Sequence, residues 1–262
     1  MSAARPKRIR VGSLPVDAVG FDEALDVIDR LVAEKRGGTV FTPNVDHIVQ
    51  AEDNPRMRAA YDQASLSLVD GVPVLWASRL LGEPLREKIS GSDLVWPLLR
   101  RAAEKGHRVY FLGGSAGVAE LARQRLLAEL PSLQIVGIDP AYIDVEKHDD
   151  EQEQIVARVI AATPDLVLVA LGAPKQEIWS HRHCARLAPA VLLGVGASLN
   201  FVAGTQTRSP RWMSKIGMEW LFRLAQEPRR LAGRYLLRDP RFCWILARQL
   251  WNQTHSEDKL KG

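Results

Sequence analysis

Cysteine and long apolar runs are scarce in this sequence, and each scarcity excludes a class of protein. The chain has two cysteines, Cys184 and Cys243, which are too few and too far apart for a disulfide-stabilised secreted domain. No uninterrupted apolar stretch approaches the roughly 20 residues of a transmembrane helix, and the basic N-terminus lacks the apolar run of a signal peptide. We therefore expect a reduced, cytosolic compartment and no membrane-spanning segment.

Three catalytic signatures are also missing from the chain. It contains no G-x-S-x-G elbow, no Walker A pattern and no D-x-D pair, the nearest approach being Asp144 and Glu146 in a polar loop. The "HRHC" run does not replace them, because His181 and His183 would point to nearly opposite sides of a helix. We therefore expect neither a metal nor another cofactor.

Charge is distributed unevenly along the chain. From Thr205 to the end, 12 Lys or Arg residues stand against 5 Asp or Glu, a balance of +7 in a chain of net charge +4. The first 204 residues therefore carry −3. A basic tail on a mildly acidic body suggests an anionic partner, which could be phosphate, nucleic acid or a membrane.

Short β-branched runs alternate with segments of helical period through the first 204 residues. This alternation predicts an α/β fold, with a Rossmann-like, mostly parallel sheet and helices on both faces. One helix is expected from about residue 45 to residue 63. The predicted strands are residues 39–41, 66–69, 108–114, 133–138, 165–171 and 190–196.

The pattern changes after Gly204, where no strand-like run occurs and four of the seven tryptophans lie. We predict an α/β catalytic domain over residues 1–204. Residues 205–262 are expected to be an appendage of two or three helices for membrane contact and active-site closure. In its first apolar stripe, Trp212, Ile216 and Trp220 are expected on one helical face. The second stripe is Phe242, Ile245, Leu246 and Leu250. The alternative is that these stripes pack on the body as ordinary core.

Polar residues follow several of the predicted strands, at the edge where α/β sheets bind ligands. Asp70 suits either a turn or a general base. At the start of a helix, Lys175 and Gln176 favour an anion, whereas a capping role is the simpler interpretation of Glu177. The turn that begins at Gly113 suits a phosphate or a tight structural turn, with Asp139 placed to contact a ribose.

Four motifs, taken in order, resemble one family. "TPNVDHI", "LVDGVPV", "GAPKQEIW" and "RSPRWMSKIGMEWLFRLAQEPRR" are similar to the WecG/TagA/CpsF glycosyltransferases, glycosyltransferase family 26, over about residues 11–234. The resemblance implies an inverting enzyme that moves N-acetylmannosamine or another hexose from a UDP-sugar to an undecaprenyl-diphosphate-linked sugar. It also implies cell-surface polysaccharide biosynthesis, metal independence and a peripheral location on the inner face of the bacterial cytoplasmic membrane.

The resemblance also assigns residues. It makes Asp70 the base and Thr42 an active-site residue. Apart from the resemblance, Asp46 and His47 are expected to be caps or supporting residues. The expected substrate-binding residues are Asn44, Gly71, Gly113, Gly114, Gly172, Lys175, Gln176, Glu177, Arg208, Arg211, Arg223 and Arg230. Leu199 and Asn200 depart from the family's usual aromatic and acidic pair, so donor preference is expected to differ. One further tail arginine of the family falls at Gly233, beside Arg234.

The expected partners are a UDP-sugar, a lipid-diphosphate-linked sugar and an anionic membrane surface, without nucleic acid. The sequence leaves open whether the chain forms a homo-oligomer. Two other functions compete with glycosyl transfer: an NAD(P)-dependent oxidoreductase that uses the turn at Gly113, and a binding protein whose tail contacts nucleic acid.

Overall fold

Six parallel strands form the central sheet of the protein, whose computed structural model describes residues 6–115, 117–140, 143–145 and 150–260. The strands lie in the order β4-β3-β8-β7-β5-β6, and each neighbouring pair is parallel. Their bounds are β3 Gly38–Phe41, β4 Leu66–Ser67, β5 Arg108–Gly113, β6 Gln134–Asp139, β7 Leu166–Ala170 and β8 Val191–Gly194. The predicted α/β fold with a parallel sheet is confirmed.

Helices cover both faces of this sheet, which explains why its strands are apolar throughout. In β7, Leu166 and Leu168 enter one hydrophobic cluster, while Val167 and Val169 enter another on the opposite face. The helices of this part of the chain are α1 Phe21–Ala33, α2 Val45–Asp53, α3 Pro55–Asp62, α4 Val72–Leu80, α5 Gly91–Lys105, α6 Val118–Glu129, α7 Asp150–Ala162, α8 Lys175–Leu187 and α9 Ser198–Ala203.

Three features of the body differ from the sequence-based expectation. An antiparallel hairpin of β1 (Arg8–Val11) and β2 (Leu14–Asp17) precedes the sheet and was not predicted. The single helix expected over residues 45–63 is wrong, because Asn54 ends α2 and caps α3 by accepting a hydrogen bond from the backbone N–H of Met57. The short helix α9 was also missed, because its "SLNFVA" sequence is too short for a helical period.

The tail after Gly204 contains more helices than the two or three expected. It forms α10 Arg211–Lys215, α11 Glu219–Gln226, α12 Pro228–Ala232, a π-helix over Gly233–Arg238, and α13 Arg241–Leu260. The prediction that Trp212 and Trp220 share one helical face is wrong. Gly217 adopts a φ of +75° between α10 and α11, so the two tryptophans belong to different helices.

Helix α13 packs on the body with the second predicted stripe. Phe242 and Ile245 are buried in the cluster formed by the N-terminal hairpin and the helices α2 and α3. The side-chain amide of Gln249 joins the hairpin, donating to the carbonyl of Arg10 and accepting from the N–H of Gly12. For this stripe the alternative of ordinary core packing is therefore the correct one. The division at Gly204 into two domains stays a prediction.

Within the described part of the chain, no helix combines the length and the apolar character needed to cross a bilayer.

Candidate active site

A cavity of about 310 Å³ lies where the strands of the sheet end, between the body and the tail. The body contributes the segments that follow β3, β4, β7 and β8, as expected for a ligand site in a parallel sheet. Among the residues that line it are Thr42, Asn44, Asp70, Gly172 and Gln176 from the body, and Arg223, Arg230, Arg234, Tyr235 and Arg238 from the tail. Seven of these ten are predicted catalytic or substrate-binding residues, and the fold brings them together from distant parts of the sequence.

Asp70 is partly buried and lines this cavity, three residues after the end of β4. Its backbone N–H donates to the carbonyl of Pro43, which ties the strand end to the segment after β3. Burial, and next the charge of Glu219, raise the pKa of the Asp70 carboxyl, against the opposing effect of Lys88. Gly71, which follows, has a φ of +115° and starts α4, so its expected contribution is the turn itself.

Lys88 is a charged residue that sequence reasoning missed. Its ammonium donates to the hydroxyl of Ser214 at 3.1 Å and lies 3.4 Å from Asp93 and 3.7 Å from Glu219. Burial alone would lower the pKa of Lys88, but the carboxylates of Asp93, Asp70 and Glu219 raise it overall. Lys88 therefore stays charged and joins the body to α10 and α11. No local motif signals it, because it lies in an irregular segment.

Thr42 and Asn44 line the cavity directly after β3. A Cβ atom added at Gly91 would lie 3.5 Å from the Oγ1 of Thr42 and 3.2 Å from the Oγ of Ser198, so glycine there keeps space beside the threonine. The side chain of Asn44 caps α2 by accepting from the backbone N–H of His47. His47 lies at the start of the same helix, as expected, with its ring Nδ1 3.4 Å from the backbone nitrogen of Asn44 and 2.7 Å from the Oδ1 of Asn44.

Gln176 lines the cavity from the first turn of α8. Its Oε1 accepts the backbone N–H of Gly196 at 3.0 Å, and its Nε2 donates to Glu177 at 2.9 Å. Glu177 itself is completely buried behind the cavity, where it contacts His47. Glu177 does not form a capping box with Pro174, the residue before α8, because proline has no N–H that could donate to the carboxylate.

The predicted phosphate-binding turn borders a second, neighbouring cleft. This cleft of about 560 Å³ includes Gly114, Gly172, Lys175 and Arg230 in its lining. Gly113 lies behind it, where a Cβ atom would approach the carbonyl of Ala170 to 2.9 Å. Backbone packing therefore accounts for this glycine.

Asp139, the residue expected to contact a ribose, is paired with a cation instead. Its carboxylate lies 2.7 Å from the guanidinium of Arg158. This pairing leaves little support for a dinucleotide site at the turn that begins at Gly113.

The arginines of the tail differ in how they reach the cavity. Arg223 pairs with Glu219 at 2.9 Å and stacks over the ring of Phe201, and Arg230 pairs with Glu227. Arg208 is not among the described residues that line the cavity, but it donates to the backbone carbonyl of Ser92, which does line it, and pairs with Asp93. The side chain of Arg211, another predicted substrate-binding residue, lies outside the part that the structure describes.

Two further arginines of the tail, which were not among the predicted substrate-binding residues, contact the body beside the cavity. Arg234 lies 3.3 Å from the Oδ1 of Asn44 and 3.4 Å from Asp46, and Arg238 binds Asp46 at 2.6 Å. Asp46 is thus a buried anchor for the tail rather than a simple cap. The spacing of Arg230, Arg234 and Arg238 by four residues is the signal in the sequence that could have found them.

Across the described ranges, no group of three His, Cys, Asp or Glu side chains is arranged to hold a metal ion. His183 of the "HRHC" run is buried against the ring of Trp179, with the ring centroids 4.9 Å apart.

Comparison with known proteins identifies the class of enzyme. The model of the glycosyl transferase WecG/TagA/CpsF family matches residues 9–256. A similar protein is the N-acetylglucosaminyldiphosphoundecaprenol N-acetyl-beta-D-mannosaminyltransferase of Bacillus spizizenii, which is 32% identical over 197 residues, 75% of this chain and 74% of the relative. These matches favour glycosyl transfer over the oxidoreductase and nucleic-acid alternatives. With its parallel sheet, its cavity at the strand ends and these similarities, the chain belongs to the WecG/TagA/CpsF family of glycosyltransferases.

Proposed function

We propose that this glycosyltransferase moves an N-acetylmannosamine-type sugar, or another hexose, from a UDP-sugar to a sugar linked through diphosphate to undecaprenol. The observation that carries the proposal is one cavity in which a carboxylate with a raised pKa, Asp70, faces several arginines of the tail. The name of the Bacillus spizizenii relative supports both the class of donated sugar and the lipid-linked acceptor.

Asp70 is the proposed general base of the transfer. It removes the proton from the attacking hydroxyl of the acceptor, whose oxygen forms a bond to the anomeric carbon of the donor. The bond between that carbon and the diphosphate oxygen breaks at the same time, and UDP leaves with the electron pair. This single displacement inverts the anomeric configuration. A raised pKa makes the carboxylate a stronger base than a solvated aspartate.

Arginines of the tail stabilise the departing diphosphate in this proposal. Arg223 and Arg230 already line the cavity, where a guanidinium can donate two hydrogen bonds to phosphate oxygens. Their partners, Glu219 and Glu227, lie on the tail as well. The tail therefore supplies the cations that balance the negative charge of UDP, and Thr42 and Asn44 meet the sugar from the body.

Contact with an anionic membrane surface is the second part of the proposal. Trp212 and Ile216 of the tail are exposed, and Gly217 beside them packs against Trp76 of α4 on the body. Trp76 and Leu80, one helical turn apart, are 50% and 64% exposed. Apolar side chains beside a basic tail suit the interface of a bilayer, where the lipid-linked acceptor lies. Peripheral attachment at the inner face of the cytoplasmic membrane follows from this proposal.

The chemical step is tested with a panel of UDP-sugars and a short-chain, diphosphate-linked N-acetylglucosamine acceptor. Asp70→Asn keeps the size of the side chain and removes its basicity, so turnover should fall about 10² to 10⁴ fold while UDP affinity changes little. Wild-type turnover in this variant would exclude Asp70 as the base. Failure of the wild-type chain to transfer any sugar of the panel would exclude the proposed donors.

The membrane contact is tested separately with vesicles that contain anionic lipid. Replacing Trp76 and Leu80 with serine should weaken vesicle binding and leave turnover on the soluble acceptor unchanged. The matched control is Leu121→Ser, at an exposed leucine on α6. Light scattering in the same buffers separates vesicle binding from self-association into a homo-oligomer. Equal vesicle binding by all of these proteins would refute the contact through α4.

A further inference from the structure

A carboxylate with no exposed surface lies directly behind the cavity. The Oε1 atom of Glu177 accepts a hydrogen bond from the Nε2 of Gln176 at 2.9 Å and lies 3.4 Å from the Nε2 of His47. Its second oxygen is without a hydrogen-bond partner among the described residues. Burial of a carboxylate is unfavourable unless a cation or several donors face it. A proton between Glu177 and His47 would offset this cost, so the location of the protons on the two side chains matters.

The position of one proton on His47 follows from its contact with Asn44. The Oδ1 of Asn44 accepts the backbone N–H of His47 and faces the guanidinium of Arg234, both at 3.3 Å, so this atom must be the oxygen of the amide. The Nδ1 of His47 lies 2.7 Å from the same oxygen. The same Nδ1 atom also faces the backbone N–H of Asn44, but at 3.4 Å this contact is long for a hydrogen bond. The 2.7 Å contact decides the tautomer: because an oxygen offers only lone pairs, the hydrogen on this line is carried by Nδ1.

A second proton lies between His47 and Glu177. The Nε2 atom and the Oε1 atom would otherwise present lone pairs to each other across 3.4 Å. The proton belongs either to an imidazolium beside a carboxylate or to a carboxylic acid beside a neutral imidazole. In both cases Glu177 and His47 hold one proton on this line, and the Oε1 atom remains an acceptor toward Gln176.

The two amides at the ends of this chain of contacts both line the cavity. The oxygen of Asn44 is held by His47 and Arg234, so its NH₂ group is what it offers to a ligand. The oxygen of Gln176 is held by Gly196, and one hydrogen of its NH₂ group by Glu177, which leaves the other hydrogen for a ligand. Both amides thus present N–H donors rather than carbonyl oxygens.

We propose that Glu177 and His47 form a positioning pair that fixes the orientation of Asn44 and Gln176, so that both amides donate hydrogen bonds to oxygen atoms of the bound sugar nucleotide. The inference rests on the proposed function, because it assigns the ligand to the donor side of that reaction. Without the pair, either amide can turn by 180° and place its carbonyl oxygen against the oxygens of the ligand. Glu177 has no exposed surface, and His47, although it also lines the cavity, acts in this proposal through its contact with Asn44.

Glu177→Gln gives the sharpest test because it changes the hydrogen bonds and hardly the shape. In the wild type, the Oε1 atom of Glu177 contacts both Gln176 and His47. The amide of the variant can place there either its oxygen, which accepts from Gln176, or its NH₂ group, which donates to the Nε2 of a neutral His47. One of the two contacts is therefore lost. The KM for the UDP-sugar should rise about ten- to a hundredfold, while kcat with saturating donor should change less. His47→Phe, which removes the other partner, should have an effect of similar size.

The double variant tests whether the two residues act as one unit. If they do, Glu177→Gln combined with His47→Phe should raise the KM for the donor no more than the worse single change. Losses that multiply, or single variants with the KM of the wild type, would overturn the proposal. The failure of the proposed function would look different, because the wild-type chain itself would then not transfer sugar.

The pair of Asp17 and Arg8 supplies the matched control for stability. Asp17 is another carboxylate with no exposed side chain, and it contacts Arg8 at 2.7 Å in the N-terminal hairpin. Arg8→Met should lower the melting temperature and leave the KM for the donor unchanged. If Arg8→Met raised that KM by the same factor as Glu177→Gln, loss of stability would explain both results and the positioning role would be refuted.

Discussion

Replacing Arg230 with alanine should separate the two roles of the tail, closure of the active site and attachment to a membrane. The side chain of Arg230 is 64% exposed, and it forms an ion pair with Glu227, three residues earlier in the chain. An exposed pair of this kind contributes about 0 to 1 kcal/mol to stability. The free energy of unfolding should therefore change little, and any loss of activity must arise from contacts made during the reaction.

The expected loss of activity is much larger than the expected loss of membrane affinity. Arg230 lines both the cavity and the neighbouring cleft, so it can meet the diphosphate as negative charge develops there. Removing one such donor typically lowers kcat about 10² to 10³ fold, which is roughly 3 to 4 kcal/mol. By contrast, one cation near an anionic surface contributes about 1 kcal/mol, or roughly fivefold in vesicle affinity.

Arg229 is the matched control for this experiment. It is exposed on the same helix, α12, and it is not among the residues that line the cavity or the cleft in the described part of the chain. Arg229→Ala should weaken vesicle binding as much as Arg230→Ala does and leave turnover on a soluble acceptor unchanged. Initial rates and co-sedimentation with anionic vesicles at two salt concentrations measure the two effects. Equal turnover in the two variants would refute the role of Arg230 at the diphosphate.

Three further outcomes are expected. Transfer should persist in excess EDTA, because arginines supply the charge that balances the diphosphate, and activity that is lost with EDTA and restored by Mg²⁺ or Mn²⁺ would contradict this. Burial, and next the opposing charge of Arg234, leave Asp239 with a pKa of about 6, above its usual 3.8, so the folded state binds more protons than the unfolded state between these values and loses stability as pH rises through them. Asp239→Asn should therefore raise the melting temperature at pH 8 and not at pH 4, and an equal change at both values would contradict the cause. Ile245→Ala should lower the free energy of unfolding by about 2 to 5 kcal/mol in urea titrations, because Ile245 is 2% exposed in the core, and a change under 0.5 kcal/mol would show that α13 does not stabilise the body.

The sheet and its ligand edge could be predicted from sequence because both depend on local patterns. Short apolar runs such as residues 165–171 are typical of strands buried on both faces, and polar residues that follow such strands lie at the edge of a parallel sheet. Thr42, Asp70 and Gln176 were placed together on this basis. The hairpin of β1 and β2 was missed because each strand has only four residues and Pro15 lies within β2.

Contacts between distant segments could not be predicted in the same way. Lys88 lies in an irregular segment, and its position beside Asp93 and Glu219 depends on how the tail folds back over the body. The burial of Glu177 is similar, because its partner His47 is 130 positions earlier in the chain. Such pairs follow from tertiary packing, which a single sequence without a local motif does not reveal.

The π-helix over Gly233–Arg238 has a consequence for tolerance to insertions and deletions. A π-helix is equivalent to an α-helix with an extra residue in one turn, so deletion of a single residue would convert it to regular α-helix. Since each residue of an α-helix turns the chain by about 100°, the elements on either side would rotate relative to each other by that angle. Arg238 would then leave Asp46, or α13 would leave the hairpin that it packs on. The length of this one turn thus sets the rotation of α13 relative to the tail arginines that line the cavity.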